Sequence, residues 1–592
     1  MTSKTLTFHS CRFFALSVFV LFGCCMTARA DVRMPLIFGD HMVLQQGAKL
    51  AIWGWASPGE KVTVTFDGQT DNTVGGADGK WRVDLSPVGF SDKGQVLTVK
   101  GANTLTFQDV LVGDVWVASG QSNMEFGING KPQYAADVDK SDDPLLRLFF
   151  VPRTTSLKPL DDMLPSPLSY EGESPASVAA ANLPIDPYRA KWVLCTPEAL
   201  RKINGQGFGT VAYLFARDVR THTGHPLGMI QSAWGGTRAE AWTSVSGLEK
   251  DPPFTHYVEA RKNEGDGFDA LEATYPQRMI DYYAALARWN EDVGKPWDKA
   301  KDDWRKAQAA GQELGTPEPQ PTSPQPSSVH PPDGDTNTPG NLFNAMISPL
   351  MPLAIKGVIW YQGEFNSGYD SGREYETLFP RMISDWREKW GRGDFPFIFV
   401  QLPNYGPVDT VPSSEDNGWR WVREGQLKAL ALPQTAMASA IDIGDPTLLH
   451  PPDKLDVALR LSLAARRLAY GKKIVASGPI YDRMKVEGDR IRVDFTNCGS
   501  GLVLGVSPYQ ADGKAPTTPT ELTGFGIAGA DGVFVWAKAV IEGDSVVVSS
   551  DKVAAPVAVR YDFEDSPQGN LYNREGLPAS PFRTDGWDDR DR

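Results

Sequence analysis

Leu111-Val112-Gly113-Asp114-Val115-Trp116-Val117-Ala118-Ser119-Gly120-Gln121-Ser122-Asn123-Met124-Glu125-Phe126 is an apolar strand pattern that breaks at a glycine and delivers Ser122 to the start of a helix. The β-branched run Val112, Val115 and Val117 favours a strand covered on both faces, and Gly120 allows a sharp turn after it. With Met124 onward helical, Ser122 meets the positive end of that helix, where free backbone amides stabilise an oxyanion. A plainer reading stands beside this one, because a serine ahead of a helix is commonly its N-cap. A nucleophile also needs a base, an orienting acid and an oxyanion hole from the same domain.

Outward from this strand the grammar is that of an α/β domain over residues 110–470. Buried runs at 115–118, 357–360, 397–402 and 436–443 alternate with helical patterns, the signature of a parallel sheet with crossovers. Before it, residues 36–107 alternate short β-rich runs with Gly, Asp and Pro turns, which predicts an N-terminal β-sandwich over 31–109. After residue 470 the β-rich alternation returns, predicting a C-terminal β domain over 471–592. Within the α/β domain, residues 249–340 form a helical insertion ending in a Pro-, Ser- and Gln-rich linker, either a lid or a surface appendage. No repeat has a solenoid period.

The chain has 592 residues, more than one core supports. A net charge of -14 leaves no basic stripe for phosphates, which argues against nucleic-acid partners. Lys4 and Arg12, the apolar stretch 13–25 and Ala28-Arg29-Ala30 predict a signal peptide over 1–30, hence a secreted or periplasmic product with no membrane span. Lipidation at Cys24 is the alternative, which Phe22 disfavours. Of five cysteines, only Cys195 and Cys498 lie beyond that leader, enough for one disulfide at most and too few for a thiolate metal site.

The α/β domain supplies candidates for each role at its strand ends. His450 follows a strand in Ile441-Asp442-Ile443-Gly444-Asp445-Pro446-Thr447-Leu448-Leu449-His450-Pro451 and precedes a helix, which places an imidazole at the carboxyl edge of the sheet. Trp360-Tyr361-Gln362-Gly363-Glu364 also leaves a strand. A carboxylate there can orient the imidazole and an amide can donate to an oxyanion, or the acid simply caps a helix. In Ser232-Ala233-Trp234-Gly235-Gly236-Thr237 the paired glycines permit close backbone approach, so Gly236 either offers an amide or forms a plain tight turn.

Together these blocks resemble the sialate O-acetylesterase family, a carbohydrate-esterase group within the SGNH (GDSL-like) hydrolases. The resemblance extends from Pro35-Leu36-Ile37-Phe38-Gly39-Asp40-His41-Met42-Val43-Leu44-Gln45 through 113–125, 231–237, 347–366 and 442–454 to Asn570-Leu571-Tyr572-Asn573 and 578–585. It implies a three-layer α/β/α core with Ser122 as nucleophile and His450 as general base. The Ser122 and Gly236 N–H groups and the Gln362 side chain would form the oxyanion hole. Where the family has Asp-Ile-His-Pro, this chain has Leu448-Leu449-His450-Pro451. The third member then becomes Glu364, with Asp445 or Asp442 behind it, or the site is a Ser–His dyad. Glu364-Phe365-Asn366 replaces the usual Glu-Ser-Asn, which makes Phe365 and Asn366 candidate substrate contacts.

The implied reaction is two-step acyl transfer on an O-acetylated sugar, without metal or cofactor. Sialate 9-O-acetyl esters are the first substrate reading and acetyl-xylan the alternative. A non-catalytic carbohydrate-binding protein, drawing on the 17 tryptophans, is the rival from another class.

Overall fold

The computed structural model describes residues 31–587 except 164–189, 413–417, 507–518 and stretches within 266–334. The predicted leader at 1–30 lies outside the described residues, as do 316–318, 325 and 327–334 of the Pro-rich linker. The first strands are β1 (Val43–Gln45), β2 (Leu50–Trp55), β3 (Lys61–Phe66), β4 (Gln69–Val74), β5 (Lys80–Leu85), β6 (Ser91–Lys100) and β7 (Thr104–Gly120). Residues 111–120 are the C-terminal part of β7, and this strand changes character along its length. Residues 104–109 alternate exposed with half-buried, whereas every residue from Val110 to Gly120 is buried. The first part pairs with β6, and β1 lies alongside Leu111, Val112 and Gly113. The last part enters a different neighbourhood, so the division expected at 109/110 falls inside one unbroken strand.

That neighbourhood is the central sheet. It adds β8 (Asp143–Phe150), β9 (Trp192–Cys195), β10 (Leu227–Ala233), β11 (Gly357–Tyr361), β12 (Phe397–Gln401) and β13 (Thr435–Ser439), in the order β13-β12-β11-β7-β10-β8-β9. All its pairings are parallel except the edge pair of β8 with β9. The helices that accompany this sheet include α1 (Thr210–Thr223), α2 (Tyr369–Trp390), α3 (Trp419–Lys428) and α4 (Leu455–Leu468).

Register shows how the sheet is covered. Trp116 of β7 sits opposite Gly357 of β11, so Trp360, three residues further on, points to the other face. Phe215 of α1 packs edge-on against Trp116 at 5.2 Å, while Phe379 and Trp386 of α2 pack against Trp360 at 6.4 and 5.8 Å. Helices therefore lie on both faces, the α/β/α arrangement expected, with side chains such as Trp116, Trp360 and Trp386 fully buried in the core.

After Gly471 the described chain forms antiparallel strands in two four-stranded sheets and one two-stranded sheet. These enclose a core of their own around Ile491, Val493, Phe525, Val548 and Val559. Within the insertion, described helices run Thr255–Gly265 and Lys295–Ala309. Cys195 and Cys498 are separate, buried free thiols, which answers the disulfide question in the negative. Among the described residues no helix is long and apolar enough to cross a membrane.

Candidate active site

Three neighbouring strands stop at one level: Gly120 of β7 lies opposite both Ala233 of β10 and Tyr361 of β11. The chain leaves all three at the carboxyl edge of the sheet, where open α/β folds bind ligands. Gly120 has φ +132°, and a Cβ there would sit 2.2 Å from the Tyr361 carbonyl oxygen, so only glycine fits this turn. Gln121 follows and is locked at both ends. Its N–H donates to the Tyr361 oxygen at 3.0 Å, and its side-chain oxygen accepts from Phe365 N–H at 3.2 Å. Ser122 then opens a single helical turn, Ser122–Glu125, far shorter than the helix expected from Met124 onward. The local positive pole is therefore a single turn, in which Met124 and Glu125 N–H donate to Gln121 O at 2.9 and 3.0 Å.

His450 reaches this serine from the loop between β13 and α4. Its Nε2 lies 2.9 Å from Ser122 Oγ, within hydrogen-bond reach for proton transfer. The imidazole packs against Phe126, with ring centroids 4.4 Å apart. Burial, then the positive charges of Lys454 and Lys131, hold His450 below the usual histidine range, so the ring is neutral at neutral pH.

The Trp234–Gly235–Gly236–Thr237 loop closes over Ser122. A Cβ on Gly235 would lie 3.2 Å from Ser122 Cβ. Trp234 N–H donates to Gly120 O at 3.1 Å, and Gly235 N–H donates to the Glu125 carboxylate, which Arg153 also engages. Gly236 follows in the left-handed region at φ +67°. Among the described residues, the backbone N–H groups of Ser122 and Gly236 donate to no protein acceptor. They leave two donors beside the serine.

The expected third donor is corrected. Gln362 is fully buried and both its N–H bonds are used, to Thr237 O at 3.1 Å and Asn366 Oδ1 at 2.7 Å, while its oxygen accepts from Tyr375 O–H at 2.9 Å. The amide is a strut between loops with no proton left for an oxyanion. Asn366 is likewise withdrawn from the substrate contacts. It is fully buried, donates to Glu240 at 2.9 Å and accepts from Ala239 N–H. Phe365 is the opposite case, 45% exposed with the Arg238 guanidinium 5.3 Å over its ring.

None of the three acids meets the imidazole, a second correction. Asp442 forms an ion pair with Arg460 at 2.6 Å and accepts from Tyr572 O–H at 2.8 Å. Asp445 accepts from the N–H and the hydroxyl of Thr447, both at 2.7 Å. Glu364 accepts from Asn123 Nδ2 at 2.5 Å. No carboxylate among the described residues hydrogen-bonds to His450, and no acid raises its proton affinity.

One participant escaped the sequence reading. Lys454, four residues after His450, is 5% exposed and donates from Nζ to Asn123 Oδ1 at 2.5 Å. Burial brings its pKa down to about 7, while the same cause pushes Glu364 up. Its only sequence signal was position, next to a histidine and at the start of a helix; residue type alone says solvent.

The chain's relatives agree with this fold. The family model described as carbohydrate esterase, sialic acid-specific acetylesterase matches residues 336–466. The human sialate O-acetylesterase is 30% identical over 493 residues, covering 78% of this chain and 75% of the relative. The mouse sialate O-acetylesterase is 28% identical over 506 residues, covering 80% of each. A solved structure, a carbohydrate acetylesterase from Xanthomonas citri, superposes with a TM-score of 0.68 at 33% identity, covering 94% of this chain and all of that one. The protein is a carboxylic ester hydrolase with an α/β core. It belongs to the sialate O-acetylesterase family.

Proposed function

We propose that the protein hydrolyses O-acetyl esters of sugars, sialate 9-O-acetyl esters first, through an acetyl-serine intermediate. The observation that carries this reading is Ser122 Oγ at 2.9 Å from His450 Nε2, with the two free N–H groups of Ser122 and Gly236 alongside. Neutral His450 accepts the Ser122 proton as Oγ attacks the acetyl carbonyl. The carbonyl oxygen takes up negative charge facing the Ser122 and Gly236 amides, each worth about 3 kcal/mol in the transition state. On collapse, the C–O bond to the sugar breaks and the imidazolium returns its proton to the departing hydroxyl. Water, deprotonated by His450, then attacks the acetyl-serine, releasing acetate and restoring Ser122.

Without an acid on the imidazole, the pair works as a Ser–His dyad. Membership of a family whose curated relatives are sialate O-acetylesterases supports the sialate reading. The Xanthomonas relative is a carbohydrate acetylesterase, a broader class, which favours a second reading in which other acetylated glycans, such as xylan, are cleaved.

The test is acetate release from O-acetylated sialic acid and from acetylated xylan fragments by wild type and Ser122→Ala. Release from sialic acid alone, lost in the variant, upholds the first reading, and preference for xylan moves the substrate while leaving the mechanism. Cleavage of neither ester, or full activity in Ser122→Ala, overturns the esterase reading at this site.

A further inference from the structure

We infer that Lys454 is a positioning residue of the ester hydrolysis, gripping through Asn123 and Glu364 the two loops that carry Ser122 and His450. The inference rests on the Ser122–His450 reading above. Asn123 is the hub: it follows Ser122 directly, is 1% exposed, and uses its whole amide. Its oxygen accepts from Lys454 Nζ, and its Nδ2 donates to Glu364 Oε1 at 2.5 Å and to Leu449 O at 3.3 Å. Leu449 immediately precedes His450. One buried amide thus ties the nucleophile's turn to the base's loop, and Lys454 and Glu364 fix that amide from either side.

The loop is held at its far end too. Lys454 N–H donates to Tyr134 O–H at 2.8 Å, and Tyr134 O–H donates to Pro452 O at 3.0 Å. A lysine this deep is costly unless compensated, and Glu364, 7% exposed, supplies the opposite charge across Asn123. The arrangement takes over one task of an orienting carboxylate, alignment of the base, by other means. Alignment comes from the Asn123 bridge. Burial first, then the cations that face it, Lys454 and Lys131, keep the base neutral, with Glu364 and Asp453 facing Lys454 in turn.

The test uses the full-length enzyme and two variants, Lys454→Met, which removes charge and donor, and Lys454→Gln, which removes the charge and keeps an N–H. Initial rates on an acetyl ester are measured across pH, with thermal unfolding in parallel and Ser122→Ala as control. Both folded variants are expected to lose at least ~10-fold in kcat with KM close to wild type, since a misplaced reacting pair slows the chemical step. The acid limb of kcat/KM is expected to move to higher pH in both, because a cation facing the imidazole has gone. A purely structural lysine would change unfolding and leave the limb in place. A folded variant with wild-type kcat and an unmoved limb overturns the inference. So does failure of both variants to fold, which makes the residue a requirement of the fold. An active Ser122→Ala would instead overturn the underlying reading of the site.

Discussion

Gly120→Ala isolates the turn that presents the nucleophile. The added Cβ would lie 2.2 Å from the Tyr361 oxygen and 2.7 Å from its carbonyl carbon, both backbone atoms that no side-chain rotation can clear. Relief requires the ends of β7 and β11 to part by about 1 Å, on top of holding alanine at a φ natural only to glycine. The two terms together are worth roughly 2–5 kcal/mol of stability. The same displacement reaches the chemistry, because the Tyr361 oxygen also accepts the Gln121 N–H, one residue before Ser122. A shift of this size in a reacting group costs on the order of 100-fold in rate. Urea unfolding followed by tryptophan fluorescence reads the first effect, and kcat/KM on a small activated acetate ester reads the second. The control is Gly236→Ala, where a Cβ meets nothing within 4 Å and the N–H is kept. There the φ of +67° alone costs about 1 kcal/mol, with activity within about tenfold of wild type. A Gly120→Ala enzyme with wild-type midpoint and rate would refute the steric reasoning.

Other predictions concern the groups around this turn. Gln362→Ala should act on stability, costing about 1–3 kcal/mol by stranding Thr237 O, Asn366 and Tyr375 O–H in the interior. Its kcat per folded molecule should fall less than tenfold, and a ~100-fold fall at unchanged stability would return the amide to the oxyanion hole. The working form of His450 is neutral and its pKa is lowered, so kcat/KM should hold steady from neutral pH downward and drop only through a value below the usual 6.5. Lys131→Met should move that limb upward, more at low salt than at high, and an unmoved limb at low salt would contradict the proposed influence of Lys131. Arg460→Met leaves the Asp442 carboxylate buried without its ion pair and should cost about 3–5 kcal/mol in chemical denaturation, while the folded fraction keeps its kcat.

What the sequence disclosed was position along strands; what it withheld was partnership. The change in β7 from alternation to continuous burial is written in Thr104-Leu105-Thr106-Phe107 followed by Val110-Leu111-Val112, so its two environments were legible, whereas the single strand that joins them was read as a boundary between domains. Ser122 and His450 were legible because each follows a strand ending at the same sheet edge. Gln362, Glu364 and Asn366 were placed at that edge correctly and given the wrong tasks. Which buried donor meets which acceptor depends on loops distant in sequence, here Thr237, Asn123 and Glu240, and no local pattern encodes such pairings. Lys454 was passed over for the opposite reason: its residue type signals a solvent-facing cation, and only the folded loop shows that it is enclosed.

β7 has flanking strands along its inner length: β1 and β6 beside residues 110–113, then β10 and β11 beside 114–120. The strand has no loop between these two sets of partners. A chain trimmed to begin at residue 110 would present Leu111 and Val112 as a raw, sticky edge, the kind that recruits other chains. The amino-terminal strands are therefore part of the smallest fragment of this enzyme that can be expected to stay dispersed. Attempts to isolate a minimal catalytic piece should cut ahead of β1.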